Sequence, residues 1–237
     1  MMNWRGANIL FQHEMRRSWL GLLLTMLFFT YMSIVTMPLF TMVLQGEDGG
    51  WAGDFVYLSV LPSMSFLMNR SLLKYWLNDP YTRKLAYWRT MPIGLTSIVL
   101  ARMMQLVTVL VIVGIFFFTA QYLMLNELRE LLSPGEYVYF ALTWLGYSLA
   151  IGSTYVYFEQ AINGKLYLII CIGYLILFGI SVLVFWTADV QLLKSSIEAA
   201  QRHNVMWPAG ALTLGAAVMI FTGIVLRKRL ATRNLLS

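Results

Sequence analysis

Long apolar stretches separated by short polar ones dominate this 237-residue chain. The opening segment, Met1–Ser18, has a different pattern. At helical spacing Trp4, Ala7, Phe11 and Met15 share one face, while Arg5, Gln12 and Arg16 lie off it. That pattern predicts an amphipathic helix able to lie in the headgroup plane, the alternative being a loosely ordered basic tail. No small-residue cleavage site follows, so the segment does not read as a secretory signal. Six apolar runs come next, each near or above the length needed to cross a bilayer: about 19–44, 55–73, 95–125, 137–158, 166–187 and 205–226. Pro38 is expected to bend the first and Pro62 to interrupt the second. Between the fifth and sixth runs, Val190, Leu193, Ile197 and Ala200 form a helical stripe, with Lys194, Glu198 and Arg202 off it. That segment predicts either a helix covering the outer end of a bundle or a plain surface helix.

Composition agrees with the pattern. The chain is 59% hydrophobic and 12% charged, against roughly 25% charged in an ordinary soluble domain. Its mean hydropathy is +0.68. No polar stretch is long enough to fold alone, so residues 1–237 read as a single transmembrane domain of all-α class. The lone cysteine, Cys171, excludes an intrachain disulfide. The two histidines, His13 and His203, fall on opposite sides of the expected membrane, which argues against a shared metal site.

The charges also orient the chain. Six spans place both termini on one face, and 14 of the 17 basic residues then fall on that face, against three on the other. Eight of the eleven acids lie opposite. Such a bias marks the basic face as cytoplasmic, giving an N-in, C-in topology. The net charge of +6 could suggest nucleic acid, but basic residues flanking apolar spans suit topology and anionic lipid better. Trp19, Trp51, Tyr137, Trp186 and Trp207 near the span ends suit the aromatic belt.

Six of the basic residues, Arg70, Lys74, Arg83, Lys84, Arg89 and Arg102, fall between Asn69 and Arg102, where Asp79 is the single acid. Within that stretch Asp79 can cap a helix, Pro80 fits its first position, and Thr90-Met91-Pro92 ends it. The expected product is a short helix across the cytoplasmic mouth of the bundle, offered to a soluble partner. Asp79, Pro80, Tyr81, Arg83, Lys84, Tyr87, Trp88 and Arg89 are its candidate interface residues.

Chemistry-bearing motifs are missing from the sequence. No phosphate-binding Gly-rich loop, His-Glu-x-x-His or Gly-x-Ser-x-Gly occurs. No span carries a charge near its middle, where ion relays keep one. Glu159, at a span boundary, reads as a topology residue, and Gln105 and Gln121 as helix-to-helix hydrogen-bonding groups. Gly146/Ala150 and Ala211/Gly215 have the small-xxx-small spacing that permits close helix contact.

Taken together, a basic amphipathic lead-in, six spans, the Asp79–Arg89 helix after the second, and an amphipathic segment after the fifth resemble an ABC-2-type permease subunit of bacterial ABC transporters. The residues nearest that family's pattern are Asp79-Pro80-Tyr81 through Trp88-Arg89, Thr90-Met91-Pro92-Ile93, and Arg102 at the start of the third span. The resemblance covers nearly the whole chain as architecture and offers no sharply diagnostic motif. It implies a multi-pass protein of the bacterial cytoplasmic membrane that pairs with a second, identical or paralogous permease chain. It also implies that Asp79–Arg89 couples to a separate P-loop ATPase subunit, which holds the ATP and magnesium and drives export, so that this chain binds no cofactor itself. A non-transporting scaffold or sensor, or a lipid-modifying enzyme, would need no such ATPase.

Overall fold

The apolar stretches fold as helices. The computed structural model describes residues 4–45, 49–68, 80–90 and 93–233 and contains no strand among them. Helix α1 (Trp4–Arg17) leads through Ser18 into α2 (Trp19–Gln45). Then come α3 (Gly50–Val60) and a 3₁₀ segment (Leu61–Ser65). Next are α4 (Pro80–Thr90), α5 (Leu95–Met124), the short α6 (Asn126–Leu131) and α7 (Pro134–Ala161). Helices α8 (Gly164–Thr187), α9 (Leu192–Gln201) and α10 (Met206–Thr232) complete the described chain.

Four of these, α2, α5, α8 and α10, are long and apolar enough to cross a membrane. Helix α7 has the length, 28 residues, but its many Tyr, Ser, Thr and Gly residues make it less apolar. It is the inner helix of the bundle, packed against α10, α5, α9, α8, α4 and the 3₁₀ segment. By contrast α8 exposes Ile169, Ile172, Ile176, Ile180 and Leu183. An apolar face of that extent suits lipid and not water.

The run expected at 55–73 is where sequence and structure differ most. It does not form one helix. Helix α3 starts five residues earlier and ends at Val60, and the chain from Phe66 to Met68 is non-helical; residues 69–73 lie outside the described part. Pro62 is the cause. It has no N–H for the carbonyl of Leu58, four residues back, so the α-helix tightens into 3₁₀. The Tyr147 hydroxyl of α7 donates to that Leu58 carbonyl at 2.8 Å and replaces the missing donor. In α2, Pro38 is accommodated within one continuous helix.

Helices α7 and α10 cross at their glycines. A methyl group on Gly146 would lie 2.5 Å from the Ala211 backbone, and one on Gly215 would lie 2.6 Å from the Gly146 carbonyl. The two small-xxx-small pairs therefore pack on each other. In the core, Gln121 joins α5 to three other helices. Its side-chain oxygen accepts from Tyr57 (2.9 Å) and Tyr137 (3.1 Å), and its amide donates to Thr36 (3.1 Å). Tyr137 is thus buried, whereas Trp19, Trp51, Trp186 and Trp207 stay exposed as a belt requires.

Opposite the basic end, α9 covers the bundle. Leu193, Ile197 and Ala200 are buried, while Val190, the fourth member of the expected stripe, is exposed. Asp54 fixes this cover: its carboxylate oxygens accept from the backbone N–H groups of Leu192 (2.9 Å) and Leu193 (2.7 Å), which α9 cannot satisfy internally.

Candidate functional site

Helix α4 lies across the end of the bundle where α1, α5, α7 and α10 bring their charged residues together. It begins at Pro80 and ends at Thr90, the bounds expected from Pro80 and from Thr90-Met91-Pro92. Asp79, Met91 and Pro92 lie outside the described residues, as do the side chains of Pro80, Tyr81 and Arg89. The remaining positions divide into two faces.

The inner face is Lys84, Leu85 and Trp88. Leu85 and Trp88 are buried in an apolar cluster with Leu10 of α1, Ile98 and Leu106 of α5, Val156 of α7, and Leu226 and Leu230 of α10. Lys84 pairs with Glu14 of α1 and lies 4.7 Å from the centre of the Trp88 ring, a cation–π contact. Burial lowers the Lys84 ammonium from its ordinary value, and the Glu14 carboxylate opposes that fall. Lys84 and Trp88 are therefore engaged within their own chain. Arg83 and Tyr87 form the outer face, and Tyr87 is 62% exposed.

Two further polar links secure α4 and its supports. Arg233, just past α10, donates to the Thr82 hydroxyl (2.5 Å), the Ile162 carbonyl (2.9 Å) and the Gln160 carbonyl. Arg102 of α5 pairs with Glu159 of α7 at 2.5 Å and donates to Gln105 at 2.7 Å. Glu159 is 3% exposed. Lys84, Leu85, Trp88, Arg102 and Gln160 together line a small recess. Helix α4 is thus held by α1 at one point, by the α10 terminus at another and by a shared apolar cluster.

Sequence reasoning located α4 but missed its clamps. One signal was legible: Ala7, Leu10 and Glu14 follow at helical spacing, and all three are buried, so the acid sits on the inward stripe of α1. Trp4, expected on the apolar face, is 54% exposed because α1 packs against α5 through that neighbouring stripe. Arg233 and Thr82 are 151 residues apart, and nothing local pairs them.

Beyond the recess, Glu159 also lines a cavity of about 320 Å³ between α2, the 3₁₀ segment, α7 and α8. No cluster of three or more His, Cys, Asp or Glu that could hold a metal occurs among the described residues. No protein-family model, curated protein or solved structure matches this chain.

Proposed function

We propose that this chain is the membrane-spanning permease subunit of an ATP-driven exporter and that α4 is the surface a separate ATPase grips. The observation that carries the reading is the division of α4 into two faces. Tyr87 and Arg83 point away from the bundle, while Lys84, Leu85 and Trp88 tie the same helix to α1, α5, α7 and α10. A partner pushing on the outer face moves the spans as a body, which is what conversion of ATP hydrolysis into an opening requires. Aromatic and arginine side chains on an exposed helix are the usual anchors of such an interface.

On this reading the chain crosses the membrane six times, with both termini on the basic face. Helix α7 supplies one crossing in addition to α2, α5, α8 and α10. The sixth is the broken segment. About 16 Å of α3, about 10 Å of 3₁₀ helix and about 10 Å of extended chain together match a hydrocarbon core about 30 Å thick. Its contacts support this path: Asp54 caps α9 at one end, and Phe66 packs on Tyr155, one turn from Glu159, towards the other. Two such chains, identical or paralogous, would form the pathway.

The test is purification from the native bacterial membrane together with its neighbours. A P-loop ATPase is expected to copurify, and Tyr87→Ala with Arg83→Glu should reduce its recovery at least tenfold without lowering the amount of permease. Purification of the chain free of any ATPase, or unchanged recovery with the double variant, would favour a scaffold or sensor instead.

A further inference from the structure

The cavity beside Glu159 has a chemistry that the coupling surface does not use. Part of its wall is aromatic, with Phe28 and Phe29 from α2, Phe66 from the segment after the 3₁₀ turn and Tyr155 from α7, and the hydroxyls of Thr25, Ser59 and Ser63 line it too. Phe28 and Phe29 pack edge-on at 5.3 Å, and Phe66 and Tyr155 at 5.8 Å. The wall carrying Phe66 is tied to α2, because the Met68 N–H donates to the Thr25 hydroxyl at 2.9 Å. Cys171 of α8 lines the same space.

Glu159 is the one charged residue among the described residues that line this space. Its partner Arg102 lies behind it, lining the recess under α4 and not the cavity. The cavity thus meets the negative pole of the ion pair. Aromatic ring faces add further negative potential. An aromatic site bordered by a carboxylate attracts a cation whose charge is carried on an apolar body and costs little to dehydrate, and it repels an anion of the same shape. At about 320 Å³ it suits a molecule at the small end of the usual ligand range.

We propose that this cavity binds hydrophobic organic cations, aromatic or quaternary amines, with Glu159 and the surrounding rings as the recognition group. The binding claim stands on the cavity alone. Only the further statement that such cations are the exported substrate rests on the permease reading.

Cys171 makes the claim measurable in the protein as it stands, because it is the only cysteine in the chain. The full-length protein in detergent is labelled with a small cationic and a small anionic methanethiosulfonate, each rate normalised to that with a free thiol. The cationic reagent should be favoured at least fivefold. Benzyltrimethylammonium should slow labelling at least fivefold, and benzenesulfonate should not. Glu159→Gln alone leaves Arg102 without its carboxylate and could impair folding, so Arg102→Gln/Glu159→Gln, which removes both charges, is measured with it. In the double variant the preference and the protection should both disappear while Cys171 stays reactive. Equal protection by the anion, or protection that survives the double variant, would overturn the proposal. Neither outcome bears on whether an ATPase binds α4.

Discussion

Glu14 shows how one residue changes the reading of a helix. A carboxylate on the inward stripe of α1 would be costly unpaired, and Lys84 meets it there. Removing one partner leaves the other poorly solvated. Glu14→Ala should therefore destabilise the protein by about 1–3 kcal/mol, below the full buried-pair range because Lys84 keeps part of its surface in solvent. Glu14→Leu/Lys84→Met should recover most of that loss, and thermal unfolding in detergent reads both. Trp88→Ala should cost about 3–5 kcal/mol, the range for emptying an aromatic site in a packed core. Loss of function in that variant would reflect folding, so Tyr87→Ala is the cleaner probe of a partner. At the opposite end, Ser133 and Glu136 form a capping box that opens α7 ahead of its apolar run. Hydrogen bonds from the Ser133 backbone and hydroxyl hold the Glu136 carboxyl below its ordinary value of 4.5. A carboxyl lowered in the folded state stabilises above its unfolded value and loses that contribution as pH falls through the folded one. Protection of the α7 N-terminal amides from hydrogen exchange should fall as the pH drops below that ordinary value, and Glu136→Gln should flatten that dependence.

At the scale of elements, two contacts decide how the helices pack. The first is the repair of the Pro62 break by Tyr147. Tyr147→Phe keeps the ring and removes the donor, leaving the Leu58 carbonyl unpaired. A loss of about 1–2 kcal/mol is expected, measured by denaturant unfolding. The second is the α7–α10 crossing. Gly146→Ala and Gly215→Ala each force a methyl group into backbone at 2.5–2.6 Å and should cost about 1–3 kcal/mol. Gly173→Ala in α8 is the control. Nothing lies within 4 Å of a methyl group there, so it should be neutral or slightly stabilising. The spacing of the small residues was legible in the sequence. That the Gly146 pair meets the Gly215 pair was not, because spacing defines a smooth face and says nothing of its partner.

For the molecule as a whole, the arrangement of charges is the main organising fact. Arg102, Glu159, Lys84, Glu14 and Arg233 converge at one end, while Asp54, Glu136 and His203 lie at the other. The topology proposed here makes a direct prediction. In a Cys171→Ser background, Tyr87→Cys should react with a membrane-impermeant maleimide only from the cytoplasmic side, and His203→Cys only from outside. Reaction of both from the same side would remove the N-in, C-in arrangement and with it the coupling role of α4.

Period and charge were enough to determine the helical class, the boundaries of α2, α5 and α8 to within two residues, the start but not the end of α10, and a short helix starting at Pro80. These features depend on local chemistry: lipid-compatible length, backbone satisfaction within a helix, and the fixed dihedral of proline. Only the tertiary structure decided that α9 is a cover and not a surface helix, that Trp88 turns inward, that the second apolar run breaks at Pro62, and that Glu159 stands between a salt bridge and an aromatic cavity. Each of those outcomes depends on a partner distant in sequence, such as Asp54 for α9 or Arg102 for Glu159. A one-dimensional pattern shows which side chains need a partner; the packing of the chain determines which partner each one meets.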